Sequence, residues 1–190
     1  MKKILICIIC SLLSIPSFAQ IVKQGEKFKT VPLYEGKVTF IKEIPIKPHL
    51  SIDDNYKILK SWAGTHYGKD PFVSTISYRN KKHRFVAKSR IELLLPPNSK
   101  GVRERMSMRY RIKGLFYQNK CILEITDITY VYESGQNSLL SRTTIMAEDF
   151  ITKDALSPND GFIELKTNTR KSTLYFFNEL AANLEDQFRD

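Results

Sequence analysis

The stretch from Arg84 to Lys113 constrains the fold more than any other. Arg84, Lys88, Arg90 and Glu92 share one parity against Phe85, Ala87, Ile91 and Leu93. Further on, Arg103, Arg105, Ser107, Arg109, Arg111 and Lys113 stand opposite Met106, Met108, Tyr110 and Ile112. Successive side chains on a strand point to opposite faces, so each run predicts a strand with one apolar side and one basic side. Pro96-Pro97-Asn98-Ser99-Lys100-Gly101 makes the turn between them, and hairpin partners are antiparallel. The basic residues then share one face of a sheet, and that face is left uncovered by helices.

The flanking sequence extends this pattern. Phe72 to Tyr78 reads as a strand joined to Arg84–Leu95 by the turn Asn80-Lys81-Lys82, and Gln118-Asn119 turns the chain into Cys121–Tyr132. Upstream, Val38, Phe40 and Ile44 alternate with Lys37, Thr39 and Glu43 between Gly36 and Ile46. That first strand is closed by Pro45 and Pro48, which cannot donate to a ladder. Ser51-Ile52-Asp53-Asp54 is a capping-box pattern, with acids placed at the partially positive helix N-terminus. Ile52, Tyr56, Leu59, Trp62 and Ala63 recur at three- and four-residue steps, and Gly64 or Gly68 ends that helix.

Residues 133–170 show the least regularity, with Ile145 to Ile151 packing locally. A last helix over 171–188 carries Leu174, Phe177, Leu180, Ala181, Leu184 and Phe188 on one side. The expected fold is α+β: a single antiparallel sheet of about five strands, in the order β-α-β-β-β-β-α, with two helices on one face and an open, basic other face.

The 190 residues suffice for one domain that buries about two-thirds of its unfolded surface. The first twenty residues read as an export signal. Lys2 and Lys3 precede the uncharged run Ile4–Leu13, Pro16 breaks it, and Ser17-Phe18-Ala19 supplies small residues for cleavage between Ala19 and Gln20. The run is too short for a permanent bilayer span. A lipoprotein built on Cys10 is the rival reading, but Ile8-Ile9 stand where small residues are expected. The expected organisation is a cleaved signal peptide at 1–19, an N-terminal linker at 20–35 and the α+β domain at 36–190. Such a protein is exported to the periplasm or the cell exterior of a Gram-negative-type bacterium. Cys7 and Cys10 leave with the signal, so Cys121 remains as a buried, inert thiol and no disulfide forms.

Charge concentrates where the alternation is strongest. Between Arg79 and Lys113 there are twelve Lys/Arg and two acids, Glu92 and Glu104. Without Lys2 and Lys3 the whole chain holds 28 basic and 20 acidic residues, so the remainder is slightly acidic. Like charges facing each other across strands cost a few tenths of a kcal/mol or more per pair. Glu92, Glu104 and Glu124 offset part of that. The candidate anion-binding residues are Arg84, Lys88, Arg90, Arg103, Arg105, Arg109, Arg111 and Lys113, because Arg offers a planar fork to phosphate or carboxylate. A plain solvated face accounts for the same pattern, since antiparallel sheets commonly turn a polar side to water.

Several segments resemble one family. They are Glu35-Gly36-Lys37-Val38-Thr39-Phe40, the Tyr56…Trp62 helix, Ile125-Thr126-Asp127-Ile128-Thr129-Tyr130, and Ala147-Glu148-Asp149-Phe150-Ile151 before the last helix. The family comprises exported bacterial domains of unknown function, common in Bacteroides-type bacteria, with a TATA-binding-protein-like (TBP-like) fold. The resemblance runs from about residue 35 to the end and implies the fold. It brings no catalytic residue, and the strongly basic Tyr78–Arg84 hairpin departs from the family's Gly-rich one.

The catalytic census is short. There is no G-x-S-x-G, P-loop, G-x-G-x-x-G or H-E-x-x-H. His49, His66 and His83 are spread over a turn, a helix end and a hairpin. Asp53-Asp54 and Glu148-Asp149 read as helix starts or solvated turns, because adjacent helical residues do not share a face. Tyr34, Tyr130 and Tyr132 read as amphipathic side chains at the rim of the core. No enzyme, metal or cofactor is expected. The leading reading is a non-catalytic envelope module whose basic face meets lipopolysaccharide, an acidic glycan or a partner protein. A structural or assembly subunit is the alternative. A hydrolase with a pocket beside 133–170 lacks a nucleophile–base pair, and nucleic-acid binding conflicts with export.

Overall fold

The two alternating runs form the longest strands of the molecule. The computed structural model describes residues 21–117, 120–132 and 143–189; the export segment with Ala19 and Gln20, and residues 133–142 of the irregular stretch, lie outside them. In chain order the elements are β1 (Ile21–Val22), β2 (Leu33–Tyr34), β3 (Lys37–Val38), β4 (Phe40–Pro45) and α1 (Ile52–Tyr67). Then come β5 (Ser74–Arg79), β6 (Arg84–Pro97), β7 (Arg103–Tyr117), β8 (Lys120–Tyr132), β9 (Thr143–Met146) and α2 (Ile163–Gln187).

The main sheet has seven strands rather than about five, in the order β1-β4-β8-β7-β6-β5 with β9 on the far end of β8. The expected strands are present and antiparallel. The additions are β1, which pairs parallel to β4 through Ile21 and Val22, and the four-residue β9. Both are too short to show an alternation, which is why the sequence pattern passes over them. β2 and β3 form a separate hairpin around Glu35 and Gly36, both at positive φ.

Parity sends Phe85, Ala87, Leu93, Met106, Met108, Tyr110 and Ile112 to the side covered by α1 and α2, where all are buried. β8 changes parity midway: Cys121, Leu123 and Ile125 are buried, then Ile128 and Tyr130. One extra residue absorbs the change, as the pairing slips between Arg109↔Thr129 and Arg111↔Thr126 and Asp127 takes a φ of 52°. That is a β-bulge.

Ser51 caps α1 as expected, its Oγ accepting from the Asp54 N–H at 3.1 Å, and Gly68 rather than Gly64 ends the helix. Tyr56, Leu59, Trp62 and Ala63 are buried, whereas Ile52 lies half exposed at the first turn. Trp62 donates its indole N–H to Asn183 of α2 at 2.8 Å, tying the helices together.

Boundaries differ from expectation in several places: the first strand expected over 36–46 divides into β3 and β4, and the strand expected from Phe72 starts at Ser74. α2 starts at Ile163, not 171, because its first turns bury Asn168, Thr169 and Thr173, which are weak helix formers with no apolar period. Thr173 Oγ1 hydrogen-bonds the Tyr130 hydroxyl at 2.8 Å, so Tyr130 sits in the centre of the core and not at its rim. The 20–35 stretch is no linker over its described part. Phe28 packs edge-on to Phe40 at 5.0 Å, and its backbone exchanges two hydrogen bonds with the Asn178 amide. Lys42, on the core parity of β4, donates to the carbonyls of Lys23 (2.8 Å) and Glu26 (2.6 Å) and pairs with Glu185 at 2.9 Å.

Candidate anion-binding face

The uncovered side of the sheet is built by register. Lys88 of β6 stands opposite Arg111 of β7, and Arg90 opposite Arg109. Thr75 of β5 adjoins Lys88, and Thr129 of β8 adjoins Arg109. Lys88, Arg90, Arg109 and Arg111 are all exposed. They line a shallow hollow of about 440 Å³, walled at one end by Pro71, Phe72 and Val73.

Acids neutralise part of the face. Arg111 pairs with Asp127 at 2.8 Å, Lys113 with Glu124 at 2.9 Å, and Arg105 with Glu92 at 3.0 Å. The bulge is what turns Asp127 toward Arg111. Lys88, Arg90 and Arg109 have no acidic partner among the described residues. Of the eight candidates, the structure therefore gathers four around one hollow and separates the rest. Arg105 and Lys113 are paired away from it. Arg84 is half buried at the β5–β6 end, its Nε without a partner. Arg103 lines a different groove beside Leu94 and Tyr175.

The sequence pattern puts Phe72 at the head of the strand that runs to Tyr78, and the structure corrects this. It falls in the turn before β5, and 90% of its surface is exposed. Turn residues carry no period, so nothing in the sequence announces which way that ring points. The turn itself is firmly held: the Phe72 N–H donates to Asp70 Oδ1 at 2.9 Å, and the Val73 and Ser74 N–H groups donate to the Asp70 carbonyl.

Other chemistry-bearing residues have structural partners. His83 Nε2 lies 2.6 Å from Asp53 Oδ1, with its ring edge-on to Tyr56, and His66 packs on Trp62. Among the described residues no three His, Cys, Asp or Glu side chains come together to hold a metal ion. Burial pushes the Cys121 thiol well above the usual range, where it holds its proton. Tyr34 is partly exposed, and the Tyr132 side chain lies outside the described residues. Asp54 belongs to the α1 cap, its carboxyl held below the ordinary range by hydrogen bonds from Lys57 and Ser51. Glu148 accepts the Val38 N–H at 2.8 Å, so it ties β3 to the turn after β9. No described helix is long and apolar enough to cross a membrane.

Among solved structures, a TBP-like protein from Parabacteroides distasonis superimposes with a TM-score of 0.71 at 25% identity, over 83% of this chain and 96% of that one. The fold is TBP-like. A DUF4468 family protein from Bacteroides ovatus matches with a TM-score of 0.65 at 19% identity, over 84% of this chain and 91% of that one; this second likeness is one of fold. No family model matches the chain, and neither does any curated protein. Both neighbours of the TBP-like domain come from Bacteroides-type bacteria, in keeping with the resemblance read from the sequence. Each is described by fold or family alone, so its chemistry must be argued from its own residues.

Proposed function

We propose that the TBP-like domain is a non-catalytic binding module of the cell envelope that docks an anionic ligand on its uncovered sheet face. One observation carries this reading: Lys88, Arg90 and Arg109 are contiguous, exposed and without an acidic partner among the described residues. Cross-strand repulsion between Arg90 and Arg109 is a cost that a single acid would remove. Arg111, the next residue on that face of β7 and opposite Lys88, shows that remedy in use with Asp127. Guanidinium groups present flat two-donor edges to phosphate or carboxylate oxygens, so the cluster suits lipopolysaccharide phosphates or an acidic glycan. The basic, export-type N-terminus supports an envelope location for such an encounter.

The assembly-subunit alternative needs an edge or apolar patch for a partner chain. Among the described residues no strand pairs with the outer side of β6 beyond Ser89, and Leu94 and Tyr175 are exposed there. That edge is blunted, however. Ser172 donates to the Leu94 carbonyl at 3.3 Å, Asn168 to the Pro96 carbonyl at 3.4 Å, and Pro96 and Pro97 offer no N–H. The blunted edge favours the anion-binding reading.

The test is binding of the exported protein to lipopolysaccharide micelles and to an acidic glycan at rising salt, beside the Arg90→Glu/Arg109→Glu variant. Binding that weakens with salt and is lost in the variant supports the reading. Equal binding by both proteins rejects it, and a salt-insensitive oligomer shared by both would transfer the assignment to the assembly role.

A further inference from the structure

Resting on that reading, we infer that the hollow between β5 and β8 is a discrete site for a small phosphomonoester carrying an aromatic or other flat apolar group. The phosphate lies among Lys88, Arg90 and Arg109, and the organic part lies against Phe72.

The size of the cation cluster argues for one phosphate rather than an extended polyanion. Residues two apart on a strand are roughly 7 Å apart along it, and directly paired residues on neighbouring strands are about 5 Å apart. Lys88, Arg90, Arg109 and Arg111 thus mark out a patch the width of a single phosphate with its donors. On β7 the row is interrupted on both sides: Arg105 is taken by Glu92 and Lys113 by Glu124. A polymeric anion tracking the strand would meet carboxylates at both ends. Among the described residues that line the hollow the one carboxylate is Asp127, which Arg111 already occupies. Arg111 is therefore a positioned neighbour, and the three remaining cations are enough to offset the roughly −1.5 to −2 charge of a phosphomonoester at neutral pH.

The second half of the ligand follows from the wall. Phe72 is the most exposed of the large apolar side chains described, at 90%, and three N–H groups donating to Asp70, one to its carboxylate and two to its carbonyl, fix the turn that presents it. Pro71 and Val73 continue the apolar wall. Inorganic phosphate would leave most of a 440 Å³ hollow empty and this ring in water. A ligand joining phosphate to a flat apolar group fills both parts, with the charged contacts at one end and the apolar wall at the other.

The experiment titrates the purified protein with phenyl phosphate and with inorganic phosphate at low salt, by calorimetry. Amide shifts at Thr75 and Thr129 locate the site. Burial of one ring face predicts phenyl phosphate to bind roughly tenfold tighter than inorganic phosphate. Phe72→Ala should abolish that preference and leave inorganic phosphate binding unchanged. Arg90→Gln/Arg109→Gln should weaken both at least about tenfold. Neither variant should melt below the parent, because the substituted side chains are exposed and the double variant removes a like-charge pair. Equal affinity for the two probes, unaffected by Phe72→Ala, would overturn the inference and leave the anion-binding face standing. So would failure of both phosphates while a sulfated glycan still binds through Arg90 and Arg109. Loss of all anion binding would overturn both.

Discussion

Lys42 and the Lys88–Arg90–Arg109 cluster lie in the same sheet and show opposite treatment of positive charge. Lys42 is 3% exposed and makes three contacts: a 2.9 Å ion pair to Glu185, itself 5% exposed, and hydrogen bonds to two carbonyls. Glu185 also accepts the Gly25 N–H at 3.2 Å. Every member of that network binds the 21–28 strap onto β4 and α2, which is how a buried charge is tolerated. The cluster on the other face is exposed, and among the described residues it has no such partners. A charge the fold requires is surrounded by groups that satisfy it. A charge left unsatisfied beside like charges offers the fold nothing, and the anion proposed above would be its partner.

The contrast breaks most readily at its buried end. Lys42→Met should cost about 3–5 kcal/mol, because it strands the Glu185 carboxylate among apolar groups. Lys42→Met/Glu185→Leu should recover most of that loss. Urea unfolding of the three proteins decides it, and a single-variant loss below about 1 kcal/mol would show that the pair is not the clamp. Next in size is Gly114→Ala on the helix-covered side. A Cβ there would sit inside contact distance of the Phe85 ring, with Leu59 close behind. Overpacking of this kind should cost about 1–3 kcal/mol in the same measurement.

The two regions were not equally legible in sequence. The open face was readable because its residues alternate over two long strands, and one parity slip would have moved every Arg into the core. Its local pairing was not, since the Asp127 bulge sets which Arg finds an acid, and a bulge leaves only one extra residue in the count. Phe72 departs from its reading as a strand residue for a related reason: it belongs to a turn, where exposure follows from hydrogen bonds to Asp70 and not from a period. Lys42 sits on the same parity as Phe40 and Ile44, where a lysine looks like an interruption until Glu185, far away in sequence, is placed beside it. The first turns of α2 were hidden because Asn168, Thr169 and Thr173 bury polar side chains that hydrophobic periodicity does not count.

A smaller effect sharpens the comparison at an exposed but satisfied charge. Asp54 lies at the α1 cap, below the ordinary carboxylate range because Lys57 and Ser51 hydrogen-bond its charged form. A lowered native pKa contributes stability above the unfolded-state value, and that contribution is lost as pH falls through the native one. Ser51→Ala removes the cap and should cost about 1 kcal/mol at neutral pH. The gap between wild type and variant should narrow in acid, as protonation of Asp54 removes from the wild type the hydroxyl–carboxylate bond that the variant already lacks. Thermal melts from neutral pH down through the carboxylate range would show it, and a gap constant with pH would detach Asp54 from the cap.

The smallest effect has the opposite sign and bears most directly on the open face. Arg109→Thr removes a cation facing Arg90 across the β6–β7 ladder and puts a good strand former beside Thr129. Stability at low salt should stay level or rise by about 0.2–1 kcal/mol, the scale of a cross-strand like-charge pair. Near 1 M salt the screening length is about 3 Å and the difference should vanish. Lys113→Thr is the matched control, since it leaves Glu124 half buried without its 2.9 Å partner and should therefore destabilise slightly. Opposite signs for two basic residues four apart on one strand, read by urea unfolding at low and high salt, would separate charges the sheet uses from charges it merely carries. Destabilisation by Arg109→Thr would instead place Arg109 with Lys113 among the residues that hold the sheet, and the face would then be a solvated one.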